Sequence, residues 1–297
     1  LKKTLNIIIK LKKIYQTYKR NSSSKLLSCG DACCLPFSLG AFKTFLEDQL
    51  PYVYVLSLKI GDSIPADMEH GYFMSPNKQI EYVCHELAND SKLKNGFNAI
   101  GFSQGSQFLR AVVQRCGHTI PRMKNLVTLG GQHQGVYGIP NCGALQHDSC
   151  DYIRRLLNYA AYNNWLQRWL VQATYWHDPL NEATYKKKSA FLSDINNEIN
   201  INNTYKENLN KLEHFVMVMF ENDTVVEPKE TEWFGFYAPG QAEEILPLRS
   251  SDIYLKDRLG LKKMDDEGKL AFLSTPGNHL RFSEEWFTAN VLKPYLA

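Results

Sequence analysis

The stretch 97–115 constrains this chain more than any other. It opens with a short apolar run, Phe97-Asn98-Ala99-Ile100, and passes through Gly101-Phe102-Ser103-Gln104-Gly105. It continues with Phe108, Leu109, Val112 and Val113 at helical spacing. A strand that turns directly into a helix around a serine, in the form G-x-S-x-G, needs glycines where a side chain would strike the adjoining strand and helix. It leaves the serine hydroxyl at the tip of a sharp turn. Five matching residues alone are weak, because a glycine-rich turn with an exposed serine has the same letters. The strand before and the helix after supply the context that favours a nucleophile.

The surrounding chain repeats the alternation. A turn at Pro51 introduces the apolar run 52–58, and Ile80, Val83, Cys84 and Leu87 place a helix within 79–93. Asn95-Gly96 turns the chain into 97–101, and a strand at 125–129 ends in Gly130-Gly131. Strand, helix, strand, helix, strand predicts right-handed crossovers and a parallel sheet. Between 132 and 211 Asn, Gln, Tyr and Trp become frequent, and 152–171 reads as helical through Ile153, Leu156, Leu157, Trp165, Trp169 and Leu170. That insertion is too long for a connection and predicts a helical cap. The sheet resumes with the continuous apolar run 215–220 and with 270–274, and a helix over 283–292 closes the chain. The fold class expected is α/β. It is an α/β-hydrolase fold over 26–297, with a mostly parallel central sheet, helices on both faces and an inserted cap at about 132–211. The length of 297 residues suits one such domain.

Charge divides the chain. Residues 1–25 hold eight Lys/Arg and no acid, and the rest holds 26 basic against 31 acidic residues, a net −5. An acidic body gives no support for nucleic-acid binding. The basic 1–25 reads as a disordered tail, a frayed helix or a misassembled front. It has no uninterrupted apolar stretch of signal-peptide length, since Ile7-Ile8-Ile9 is followed by Lys10, Lys12 and Lys13. No run approaches the eighteen apolar residues of a membrane-spanning helix. Seven cysteines lack the paired C-x-x-C and His spacing of a zinc site, so no metal is expected. With sequons at Asn21, Asn89, Asn202 and Asn222, they point to a lumenal or secreted compartment, where disulfides persist.

A serine hydroxyl attacks only when a base takes its proton. In this fold the partners follow in the order serine, acid, histidine, each at the carboxyl end of a later strand. Asp223 directly follows the run 215–220, where the bland reading is an Asx-turn aspartate. His279 ends Thr275-Pro276-Gly277-Asn278-His279, after the strand 270–274. His133 and His177 precede Asp223 and read as structural or pocket-lining. The oxyanion needs backbone donors; one is expected at Gln104, directly after the nucleophile, the other in the loop holding Cys29-Gly30-Asp31.

Longer motifs then come into view: Gly101-Phe-Ser-Gln-Gly-Ser-Gln-Phe-Leu-Arg110, Gly130-Gly-Gln-His-Gln-Gly135, Tyr175-Trp-His-Asp-Pro179, Glu232-Trp-Phe-Gly-Phe-Tyr237 and Asp257-Arg-Leu-Gly-Leu261. With them the chain resembles the lysosomal, type 1, palmitoyl-protein thioesterase family from about Gly30 to Leu296. The resemblance implies that Ser103, Asp223 and His279 form the family triad and that S-acylated proteins or peptides, with their fatty acyl chains, are the substrates. It implies no cofactor, a lysosomal or secreted location, and disulfides Cys33–Cys34, Cys84–Cys116 and Cys142–Cys150. The departure is at the front. Leu27, Ser28 and Cys29 stand where the family has the His, Gly and Met of a His-Gly-Met-Gly-like loop, and no apolar strand precedes them. A misassembled front and an impaired oxyanion loop both remain open there.

A long acyl chain requires an apolar groove, and Trp165, Trp169, Leu170, Tyr175 and Trp176 are the expected lining; holding the cap onto the sheet is the alternative role. Two other functions stay in view: a carboxylester lipase or esterase on the same scaffold, and a catalytically impaired lipid-binding homologue. Chain-length preference, natural substrates and oligomeric state are not encoded in any motif.

Overall fold

The computed structural model describes residues 24–28, 39–61, 64–138 and 160–297, with the side chains of 24–28, 64, 65, 68, 71, 72 and 169 outside that description. Its centre is a six-stranded sheet built from β1 (Ser24–Ser28), β2 (Tyr54–Ser57), β3 (Phe97–Phe102), β4 (Met123–Leu129), β5 (His214–Phe220) and β8 (Leu270–Thr275). The order is β2-β1-β3-β4-β5-β8, and every pairing is parallel. A small antiparallel pair, β6 (Phe236–Tyr237) and β7 (Ile245–Leu246), lies in the connection between β5 and β8.

Parallel strands covered on both faces have no solvent side, so their sequences run apolar without alternating. In β5, Phe215 and Met217 enter the core on one face, and Val216, Val218 and Phe220 enter the core on the other. Helix α1 (Leu39–Gln49) and the C-terminal segment cover the second face through Phe45, Leu46, Phe287, Val291 and Leu292. Helix α2 (Ile64–Phe73) precedes α3 (Pro76–Asn89), and α3 and α4 (Gln104–Cys116) cover the first face. Cys84 on α3 and Cys116 on α4 are joined by a disulfide, the pairing that the family resemblance implies. Cys33, Cys34, Cys142 and Cys150 lie outside the described residues.

Three expectations change. The sequence reading gave 1–25 to a tail and found no strand before Cys29, yet Ser24–Ser28 forms β1. It is paired with β2 on one side and β3 on the other. A strand is defined by its backbone ladder, and two neighbours can recruit five residues whose local composition does not announce it. Closing the chain, only Glu284–Phe287 is α-helical. The backbone then widens into a π-helix over Thr288–Leu296, which contains Pro294. Between β4 and β5, the part of the cap within the described residues consists of short pieces. They are Asn164–Trp169, Val171–Tyr175, Pro179–Asn181, Glu182–Lys188, Leu192–Ile195 and Asn203–Asn210. The expected helix 152–171 is therefore interrupted at Leu170, and its part before 160 lies outside the described residues.

The cap also explains why α4 is buried all round. Its apolar stripe, Leu109, Val112 and Val113, was legible in the sequence, but Gln107, Arg110 and Gln114 on the polar side are buried too. Each is hydrogen-bonded. Gln107 donates to Gln132 Oε1 at 2.6 Å, and Gln114 donates to the Ile195 carbonyl at 2.8 Å. Arg110 reaches the carbonyls of Ile195 and His133 at 3.1 and 3.0 Å and Asn196 Oδ1 at 2.8 Å. Burial pulls the Arg110 guanidinium down to about 9.

Candidate active site

The strand order reverses between β1 and β3, because the chain leaves toward β2 and then crosses back. In open parallel sheets this places a crevice at the carboxyl ends of the strands flanking the reversal. Ser103 sits there, on the turn from β3 into α4, with φ 50° and ψ −124°. A non-glycine residue rarely holds that backbone conformation, and it is the strained turn that points a serine side chain outward. Gly101 is required beside it. A Cβ at that position would fall 2.6 Å from the Gly105 carbonyl oxygen and 2.7 Å from Ser106 Cα.

Asp223 and His279 arrive on the next loops. Strands β5 and β8 are adjacent and in register to their ends, with Phe220 opposite Thr275. The loops that follow are stitched together. Glu221 N donates to Thr275 O at 2.9 Å, Asn222 N to Gly277 O at 3.2 Å, and Thr224 N to Asn278 Oδ1 at 3.2 Å. His279 Nε2 lies 3.0 Å from Ser103 Oγ, and His279 Nδ1 lies 2.5 Å from Asp223 Oδ2. The other carboxylate oxygen of Asp223 accepts the backbone N–H groups of Val225 and Val226 at 2.7 and 2.9 Å. Burial alone would raise this carboxyl, but the hydrogen bonds from His279 and Val226 outweigh it and hold Asp223 below the usual range. The three side chains named from the sequence are brought together.

Two further groups reach this cluster and were not singled out in the sequence. Gln132, in the loop after β4, donates from Nε2 to Ser103 Oγ at 3.3 Å, and its orientation is fixed by the reciprocal pair with Gln107. Its place inside Gly130–Gly135 was the sole hint. Glu232 is wholly buried on the 3-10 helix Lys229–Trp233, and its Oε2 accepts the Phe220 N–H at 3.0 Å. Burial, and then the hydrogen bond and charge of Asp223, push Glu232 up to about 10. Asp223, Glu232 and His279 each offer one ligand-type atom, all within 4.8 Å of one another, though both nitrogens of His279 are already engaged, one by Asp223 and the other by Ser103.

The remaining candidates are distributed as follows. Gln104 is the first residue of α4. Cys29 lies outside the described residues, but Ser28, the last residue of β1, is in register with Gly101 beside the serine turn. Trp165 is 65% exposed. Leu170 is half-buried. Tyr175 and Trp176 are buried in the core under the cap, against Phe191 and Tyr137 respectively. The side chain of Trp169 lies outside the description. His133 is buried, stacked on Phe234, and kept neutral by burial and then by the nearby Arg110 charge. His177 is bound between the Gln134 carbonyl and Glu182. Asn89, Asn202 and Asn222 are exposed, and Asn21 lies outside the described residues.

A parallel sheet with a serine on a strained strand-to-helix turn, and an acid and a histidine on later strand ends, defines an α/β-hydrolase. The comparisons narrow the class. The family model described as palmitoyl protein thioesterase matches residues 28–279, and the chain belongs to that family as a thioester hydrolase. Palmitoyl-protein thioesterase 1 of Caenorhabditis elegans is 48% identical over 266 residues, covering 90% of this chain and 88% of that protein. Palmitoyl-protein thioesterase 3 of Dictyostelium discoideum is 36% identical over 265 residues, 87% of each. Among solved structures, an extracellular α/β-hydrolase from a Paenibacillus species aligns with a TM-score of 0.46 at 14% identity, covering 91% of this chain and 98% of that one.

Proposed function

We propose that this thioesterase removes long fatty acyl chains, palmitoyl among them, from protein cysteines through an acyl-enzyme on Ser103. The observation that carries the reading is the continuous contact from Asp223 through His279 to Ser103 Oγ. His279 takes the hydroxyl proton as Oγ attacks the thioester carbonyl, and Asp223 holds the imidazole in the tautomer whose Nε2 faces the serine. The tetrahedral intermediate collapses as the carbon–sulfur bond breaks. The cysteine sulfur leaves with the proton held by His279, and the acyl group stays on Oγ. Water, deprotonated by His279, then attacks the acyl-enzyme and releases the fatty acid, returning the proton to Ser103.

The oxyanion is assigned to the backbone N–H of Gln104 and to a donor at Cys29, in the segment that follows β1. An N–H serves that role whatever side chain it bears, so the His-Gly-Met departure does not by itself remove the donor. Each buried methylene contributes about 0.8 kcal/mol, which makes a long chain its own anchor. Trp165, Trp169 and Leu170 are assigned to acyl contact, and buried Tyr175 and Trp176 to bracing the cap. The exposed sequons and the Cys84–Cys116 disulfide suit a lysosomal or secreted protein. No helix among the described residues is long and apolar enough to cross a membrane.

The decisive experiment pairs a palmitoyl thioester with the matching oxygen ester, using wild type and Ser103→Ala. Expected are a preference for the thioester, a loss on the order of 10⁴-fold or more in the variant, and fluorophosphonate labelling of wild type alone. A strong oxygen-ester preference would establish a carboxylesterase instead, and a folded wild type that resists labelling would establish a lipid-binding homologue.

A further inference from the structure

Glu232 is a buried carboxyl that the hydrolytic steps do not use, and its surroundings assign it a task. The side chain is completely enclosed. Oε2 accepts the Phe220 N–H, while Oε1 is buried with no hydrogen-bond partner at normal distance. One oxygen of Glu232, one of Asp223 and a ring nitrogen of His279 lie within 4.8 Å of one another. The titratable groups that act on Glu232 are Asp223, beside it on the loop after β5, and Glu230 on its own 3-10 helix, with His279 facing Asp223 from the loop after β8. Two carboxylates this close in a dry site do not both ionise. Which one keeps the proton follows from the donors. Asp223 accepts three, from Val225, Val226 and His279, and Glu232 accepts one.

We propose that Glu232 is a positioning residue of the active site: a neutral carboxylic acid that presents its Oε1 proton to Asp223 and so holds the Asp223 anion in line with His279. The terminal carboxyl torsion is soft, which lets Oε1 turn toward Asp223. This arrangement gives the unpartnered Oε1 a partner. It also tempers Asp223, because an anion that receives a further hydrogen bond pulls less strongly on the His279 Nδ1–H. A residue behind the acid thus adjusts how readily the imidazole takes and returns the serine proton.

The inference rests on the reading of Ser103, His279 and Asp223 as the catalytic groups, and its test separates the two. In full-length protein, Glu232→Leu removes the donor, and Glu232→Gln restores one while carrying no ionisable proton. Leu is expected to lower kcat at least tenfold with KM little changed, and to move the acid limb of kcat/KM about half a unit or more toward higher pH, because the relieved Asp223 favours the protonated ring. Gln is expected to recover most of that loss and to leave the acid limb within about 0.3 units of wild type. A residue that only packed would change the folded fraction without moving the limb. Infrared spectra at neutral pH provide a readout independent of activity: a protonated-carboxyl band present in wild type and absent from Glu232→Gln. If Leu does not fold, Gln and the infrared band still decide. Absence of that band, or an acid limb that drops by a unit or more in Gln, shows Glu232 to be an anion and overturns the proposal. A Ser103→Ala enzyme that stays active overturns the catalytic reading itself, whatever the infrared result.

Discussion

At the scale of single residues, the site is a set of tolerances. Ser103 holds φ 50° because the turn it occupies is fixed on both sides: its N–H bonds Leu129 O at 2.8 Å, and its carbonyl accepts Ser106 N at 3.0 Å. Gly130, at φ +66°, lets the imidazole in. A Cβ there would lie 2.8 Å from His279 Cε1. Gly130→Ala is therefore expected to displace the ring and to lower kcat about 10²-fold, the scale of an ångström-sized misplacement of a catalytic group. Its circular dichroism and Cys84–Cys116 disulfide should match wild type; an unaltered kcat would show that the ring does not need this space. Ser103, Asp223 and His279 were legible because each stands at a strand end that hydrophobic pattern alone can locate. Glu232 and Gln132 were not, since each becomes important only through a neighbour that folding brings to it, Asp223 and Ser103.

Among elements, α4 is the pivot. Its apolar side joins the sheet, and its polar side is sealed by the cap through Gln107, Arg110 and Gln114. Arg110→Met leaves Asn196 Oδ1 without its Arg110 donor, while the carbonyls of Ile195 and His133 each lose one of two donors and keep Gln114 and Asn196 Nδ2. A loss of about 1–3 kcal/mol in urea unfolding is expected; a loss below about 0.5 kcal/mol would mean that water takes over the Asn196 oxygen. The disulfide between α3 and α4 closes a separation of 32 residues. Replacing Cys84 and Cys116 together by Ser is expected to remove about 3–4 kcal/mol on the loop-entropy account, measurable as a lower urea midpoint. The apolar stripe of α4 could be read from spacing, but the burial of its polar side could not. A cap that arrives from 80 residues downstream leaves no periodic mark on the helix it covers.

For the molecule as a whole, buried ionisable groups make stability depend on pH in opposed directions. Glu232 is raised from near 4.5 to about 10, so its contribution is complete below the unfolded value and is lost as pH rises through the folded one. His133 and Asp223 are both lowered, so the stability they contribute is present above their unfolded values and is lost as pH falls through the folded ones. Glu232→Gln removes only the first contribution. Between about pH 5 and 9 the variant is therefore expected to gain on wild type as pH rises, by at most about 1.4 kcal/mol per pH unit. Urea titrations at three pH values measure that difference, and a constant offset would contradict a neutral Glu232.

Sequence alone determined the strand and helix alternation, the serine turn and the two strand ends that bear Asp223 and His279, because these follow from local hydrophobic period and turn chemistry. It did not determine β1, whose five residues become a strand only through ladders with β2 and β3 on either side. Nor did it determine the environment of Glu232. How a carboxyl ionises depends on what excludes water from it and which donors face it, and those groups come from β5, the loop that follows it and the loop after β8, which only folding brings to one place.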